Sequence, residues 1–107
     1  MDLKQYAIVL VNLDPTIGNE IKKTRPCAII SPNEMNKHLN TIVLAPMTTN
    51  LKKYPTRVSV KHNEKKGMIA IDQIRTVDKT RIIRVFESLT KSEIDKCKEV
   101  IKETFVD

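Results

Sequence analysis

Residues 6–31 read YAIVLVNL, DPTIGNEIKKTRP, CAIIS, and this stretch decides the fold. Two apolar runs, Tyr6–Leu13 and Cys27–Ser31, flank a charged insert. The first run is nearly continuous in β-branched and aliphatic residues, the pattern of a buried strand. Asp14-Pro15 ends it, because proline has no N–H to give to a ladder. Gly18 offers a positive φ for the loop, and Pro26 holds Arg25 extended ahead of the second strand. The insert is about twice the usual length of a strand connection. It carries Asp14, Glu20, Lys22, Lys23 and Arg25, and long ordered loops are where function concentrates.

Downstream, Ser31-Pro32-Asn33-Glu34 opens a turn or short helical piece, with Met35 and Leu39 at helical spacing. Thr41–Ala45 reads as a third strand stopped by Pro46. Thr56–Val60 alternates, with Val58 and Val60 on one face and Arg57, Ser59 and Lys61 on the other, as in a half-buried strand. Lys61–Gly67 is a basic hairpin turn, Met68–Ile74 a strand, and Arg81–Phe86 the last strand. The period then changes. Thr90-Lys91-Ser92-Glu93 fits a capping box. Ile94, Cys97, Ile101 and Phe105 follow at steps of three and four, one apolar stripe on a helix of about four turns. The expected fold class is mainly β with a C-terminal α-helix: a small twisted sheet or barrel of about five to seven strands. Residues 1–107 form a single domain by length, with no internal repeat or linker.

The net charge is +6 and unevenly placed. Residues 1–90 hold fifteen Lys/Arg against eight Asp/Glu, whereas residues 91–107 hold four against five. A basic body attracts polyanions such as nucleic acid, an acidic membrane face or an acidic protein. Charge alone fits a solvated surface equally well. Cys27 and Cys97 read as small buried hydrophobes, which points to a reducing cytoplasm. His38 and His62 are isolated, without a second ligand at metal spacing, so neither a metal nor a cofactor is expected. The run Ala7–Val11 is too short for a secretion signal, and nothing reaches transmembrane length. A cytoplasmic protein without a membrane partner is expected.

The polar groups gather at strand ends. Arg25 closes the long loop, Thr48 and Thr49 follow Pro46, and Asp72 and Gln73 sit near the end of another strand. In a small barrel such ends converge on one rim. There Arg supplies a planar, permanently charged fork for phosphate oxygens. Threonine adds a neutral donor, and Glu20 or Asp72 can accept a proton. Each piece has a plain alternative: a surface salt bridge for Arg25, β-propensity for the Thr pair, a loop hydrogen bond for Asp72. No Ser/His/Asp set, P-loop or metal cluster is present. The residues alone define a small basic β-rich domain suited to nucleic acid.

The loop also resembles the signature of the MazF/PemK-type toxins of toxin–antitoxin pairs, D-P-x-x-G-x-E followed by R-P. Here these are Asp14, Pro15, Gly18, Glu20, Arg25 and Pro26. VLAPMTTN (Val43–Asn50), YPTRV (Tyr54–Val58) and IDQIRTVD (Ile71–Asp78) match in order, so the likeness spans essentially the whole chain. It implies an SH3-like small β-barrel of the PemK/CcdB type, a homodimer, and metal-independent cleavage of single-stranded RNA. It implies catalytic roles for Arg25, Thr48, Glu20 and Asp72. The chain departs from the family pattern at Tyr6, Ala7 and Leu10, where many members carry Gly-Asp and a later aromatic residue. Ala70 stands where one branch has a catalytic arginine, which shifts the expected chemistry onto Arg25 and Thr48.

The reaction that follows is attack of a ribose 2′-hydroxyl on the adjacent phosphodiester, giving a 2′,3′-cyclic phosphate and a 5′-hydroxyl. A guanidinium scarcely deprotonates, so Arg25 is read as an electrostatic clamp, with Glu20, Asp72 or water handling the proton. Lys22, Lys23, Lys52 and Lys53 are expected to steer the RNA, Thr49 to contact it, and Thr16, Asn36 and Gln73 to read bases. The implied partner is an acidic antitoxin. Two other readings of the same fold are a gyrase-poisoning toxin, which needs no phosphate clamp, and a non-catalytic RNA-binding domain.

Overall fold

The computed structural model describes residues 2–21 and 23–106. Its strands are β1 (Ala7–Asn12), β2 (Thr24–Ile29), β3 (Thr41–Thr48), β4 (Arg57–His62), β5 (Lys65–Ala70), β6 (Arg75–Asp78) and β7 (Ile82–Ser88). Helix α1 (Asn33–His38) links β2 to β3, and α2 (Lys91–Phe105) closes the chain. The strands run antiparallel in the order β4-β5-β3-β2-β1-β7, with β6 also on β3. Strand β3 changes partner along its length. Thr41–Leu44 pair with β6, and Met47 and Thr48 pair with β5. That change curls the sheet into a half-barrel.

The apolar run that opens the sequence becomes β1, buried on both faces. Val9 and Val11 join one core with Cys27, Ile29, Ile42, Leu44 and Val77. Ile8 joins a second core with Ala28, Ala45, Val58, Ile69 and Ile71, which α2 covers through Cys97 and Val100. A strand between two cores needs apolar side chains at successive positions, which is why no alternation appears there. Both cysteines are free and buried, and burial pushes each thiol up to about 12.

The capping box is present: Glu93 N donates to Thr90 Oγ1 at 3.3 Å, and Thr90 N donates to Glu93 Oε1 at 2.8 Å. The other carboxylate oxygen accepts Lys61 N at 3.0 Å, tying the helix start to edge strand β4. Ile94, Cys97 and Ile101 pack as the helical stripe requires. Phe105, on the last turn, is exposed instead.

Three expectations change. Pro46 does not end β3, because it falls in the gap where β3 has left Arg75 of β6 and not yet met Ile69 of β5. A missing N–H costs least at such a break. The expected strand Met68–Ile74 is β5 followed by a 3₁₀ turn, Ile71–Gln73, and then the separate strand β6. The basic hairpin turn is tighter than expected: only Asn63 and Glu64 lie outside the strands, both at positive φ (51° and 62°), the two-residue geometry that matches strand twist. Among the described residues, no helix is long and apolar enough to cross a membrane.

Candidate active site

A cavity of about 310 Å³ opens where β2, β3, the β4–β5 hairpin and β7 meet. Leu10, Met47, Val60 and Phe86 give it an apolar lining, and Arg25, Thr48, Thr49, His62, Lys65 and Lys66 supply polar groups. The β2–β3 register explains the meeting of Arg25 and Thr48. Cys27 pairs with Pro46, so two residues further the same register sets Arg25 against Thr48, where the ladder has ended. Thr48 Oγ1 accepts Asn50 N at 3.2 Å, which leaves the hydroxyl hydrogen to donate. Gly67 leaves room beside it: a Cβ there would stand 3.1 Å from the Thr48 carbonyl oxygen, closer than most such contacts.

Glu20, Asp72 and Gln73 line a different cavity, of about 400 Å³, with Ile17, Ile21 and Arg75. Glu20 Oε1 accepts Ile17 N at 2.9 Å, which folds the loop on itself. Gln73 Oε1 accepts Ile21 N at 2.8 Å and pins the loop to the 3₁₀ turn. Asp72 is held by Arg57 Nε at 2.7 Å, Arg57 NH2 at 3.2 Å and Thr56 Oγ1 at 3.0 Å. Burial opposes its ionisation, but the hydrogen bonds from Arg57 and Thr56 outweigh that and hold its carboxyl below the usual range. A carboxylate so engaged is a weak proton acceptor. The structure therefore brings Arg25 and Thr48 together and sets both acids on the other cavity.

The long loop is anchored at several further points. Asp14 Oδ1 accepts Lys23 N at 3.0 Å, Arg75 NH1 donates to the Leu13 carbonyl at 3.2 Å, and Arg81 donates to the carbonyl of Asp14. Thr16 is half-buried in this loop and Lys23 is exposed. Lys22 lies outside the described residues. Lys52 sits over the Tyr54 ring at 5.3 Å, with Arg57 also 5.3 Å from it, and Lys53 is exposed near β4 and α2. Asn36 is 4% exposed. Its amide donates to the carbonyls of Leu3 and Ser31, and its oxygen accepts Ser31 Oγ, so it ties chain segments together and offers no free edge to a base.

Sequence reasoning missed His62, Lys65, Lys66 and Phe86 as lining residues. A signal for His62 was available. The alternation that turns Val58 and Val60 inward turns His62 inward too. Among the described residues, no three His, Cys, Asp or Glu side chains form a group able to hold a metal.

An apolar-lined cavity with a guanidinium, hydroxyls and lysines has the chemistry to take an anionic group beside a flat apolar one. The chain belongs to the PemK-like, MazF-like toxins of type II toxin–antitoxin systems, whose family profile matches residues 4–105. It is 35% identical over 104 residues to Endoribonuclease MazF of Staphylococcus saprophyticus, covering 92% of this chain and 84% of that one. Its fold is that of MazF (Form-I) from Deinococcus radiodurans, with a TM-score of 0.85 at 20% identity over 96% of each chain. It is also shared with an endoribonuclease in complex with its cognate antitoxin from a Mycobacterial species, with a TM-score of 0.80 at 20% identity over 94% of this chain and 92% of that one.

Proposed function

We propose that this protein is the toxin of such a pair, a homodimeric endoribonuclease that cuts single-stranded RNA at short sequences without a metal. The observation that carries the reading is the meeting of Arg25 and Thr48 in one cavity. The ribose 2′-hydroxyl attacks the adjacent phosphorus, negative charge builds on the phosphate oxygens, and the 5′-oxygen leaves. Arg25 meets that charge with its fork, and Thr48 adds a neutral O–H donor. Removing one such donor costs about 10²–10³ in rate. The nucleophile is already part of the substrate, so positioning and charge stabilisation supply most of the catalysis. Membership of the toxin family and the named endoribonuclease relative support the same reading.

Lys65 and Lys66, with the lysines of the long loop and of 52–53, carry the RNA backbone past the cavity. The same basic body, with a net charge of +6, suits an acidic antitoxin. The test is a gel of defined RNA incubated with the protein in EDTA, followed by analysis of product ends. The expected result is discrete fragments with cyclic phosphate and 5′-hydroxyl ends, formed about 10²–10³-fold more slowly by Arg25→Ala. Cleavage that returns only on adding Mg²⁺ would sink the metal-free mechanism. Intact RNA under all conditions would sink the assignment.

A further inference from the structure

The attacking hydroxyl needs an acceptor for its proton, and one group in the cavity has no task. The His62 side chain is only 9% exposed. Its Nδ1 lies 3.0 Å from Glu87 Oε1 on β7, and its ring packs on Phe86 with centroids 4.8 Å apart. Its Nε2 is buried and, among the described residues, has no hydrogen-bond partner. Leaving a buried polar atom unpaired forfeits its solvation with nothing in return, and proteins seldom do so without a reason.

Glu87 settles which nitrogen holds the hydrogen. Its carboxyl is held below the usual range, first by its own backbone N–H and then by His62, so it is an acceptor. Nδ1 therefore donates to Glu87, and in the neutral ring Nε2 carries the lone pair. The rest of the lining offers no equivalent. Arg25, Lys65 and Lys66 are cations, and Thr48, Thr49 and Asn63 are not bases at neutral pH. Glu20 and Asp72 lie on the other cavity and are hydrogen-bonded there.

We propose that Nε2 of His62 is the general base for the cleavage assigned above, on which this inference rests. The O2′–H proton passes to Nε2 as the O2′–P bond forms. The P–O5′ bond breaks, and O5′ takes a proton from water. The imidazolium then returns its proton to the resulting hydroxide, so no water is consumed. Glu87 acts as a positioning residue, fixing the tautomer. Nε2 is shielded in the free protein, so RNA must part the cavity wall to reach it; catalytic hydrogen bonds often form only in the substrate complex. The charged groups around the ring are Glu87 and Arg84 of β7, Lys65 and Lys66 of β5, and Arg25 of β2.

The test begins by mapping a cut site on a long RNA. A short oligoribonucleotide spanning that site, and its analogue with a 2′-deoxy cut nucleotide, are then made. Single-turnover cleavage is followed from pH 5 to 9. The wild-type rate should fall on the acid side as the base takes up a proton. His62→Gln should cleave at least about 10²-fold more slowly and lose that acid limb while still binding RNA. Glu87→Gln should slow cleavage about tenfold, a part of the general-base contribution. His38→Gln, at an exposed position, should change nothing.

In ¹⁵N-histidine spectra of Arg25→Ala, the ribo-oligomer should move the Nε2 resonance of His62 more than the deoxy analogue does. His62→Gln within threefold of wild type, or equal movement by both oligomers, overturns the proposal. If His62→Gln does not fold, Glu87→Gln and the spectra decide. A wild type that cuts no RNA removes the cleavage reading and this base with it. A cutting wild type with an active His62→Gln removes the base alone.

Discussion

Gly67→Ala is a steric probe of where Thr48 must stand. The added methyl would lie 3.1 Å from the Thr48 carbonyl oxygen and 3.8 Å from Val60 Cγ1. The second contact is ordinary; the first is too short, so the end of β3 must give by a few tenths of an ångström. Thr48 pairs with Met68 on β5, the residue next to the substitution, so the strain lands on the strand end that carries the hydroxyl. Overpacking costs about 1–3 kcal/mol, partly offset by about 0.4–1 kcal/mol from the stiffer unfolded chain. The net loss should be about 1 kcal/mol, read as a fall of roughly 4–8 °C in Tm.

The effect on rate should be larger than that on binding. A misplacement of about 1 Å costs around 10²-fold, so a few tenths should slow single-turnover cleavage by roughly three- to tenfold. RNA affinity should hardly change. In a Thr48→Ala background the same substitution should slow cleavage no further, because the hydroxyl it displaces is gone. Gly18→Ala is the control: its methyl meets nothing within 4 Å, so only the positive φ of 60° is strained, costing about 1–2 kcal/mol without touching the cavity. Unchanged cleavage by Gly67→Ala, or an equal further loss in the Thr48→Ala background, refutes the argument that Thr48 placement governs the rate.

Arg25→Lys should recover little of the loss caused by Arg25→Ala, because an ammonium lacks the fork; single-turnover rates of both variants check this. Arg25→Ala and Thr48→Ala should combine less than additively if both groups act on one phosphate. Lys65→Ala and Lys66→Ala should each reduce the salt slope of RNA binding by about one, measured by titration at several salt concentrations. Asp72→Asn should leave cleavage largely intact and lower stability by up to about 1 kcal/mol near neutral pH, the ion pair being part-exposed. The folded carboxyl is depressed, so its contribution is fully present above the ordinary Asp range and lost as pH falls through the folded value; denaturation curves of wild type and variant should begin to converge near about pH 4 and meet only once pH is below the depressed folded value. Association with an acidic antitoxin should slow as salt rises, measured by stopped flow.

Local chemistry made most of the sheet readable in the sequence. The β1 run, the alternation of β4 and the capping box at Thr90 each name their element without help from distant residues. Strand β6 was hidden because its four residues include one buried apolar side chain, Val77, and its identity comes from lying beside β3. Pro46 misled because its cost depends on which neighbour β3 has at that point. At the site, Arg25 and Thr48 were legible as strand ends. Glu20 and Asp72 were legible as acids, but not the partners that engage them: Asp72 meets Arg57 fifteen positions away, through the β4–β5 pairing. His62 stood alone in sequence because Glu87 lies twenty-five residues later, on a strand that meets it only in the folded barrel.

The position of β1 between the two cores has a consequence for how the molecule comes apart. A domain whose layers are separable opens in pieces, and amides in its weaker layer exchange with solvent first. Here Val9 and Val11 belong to one core and Ile8 to the other, so detaching β1 exposes both at once. Amides of β1 therefore exchange through the same opening that melts the whole sheet, and their protection reports the global free energy of unfolding. Loss of β1 is thus not a partial opening that a protease could use: the strand leaves with the sheet or stays with it.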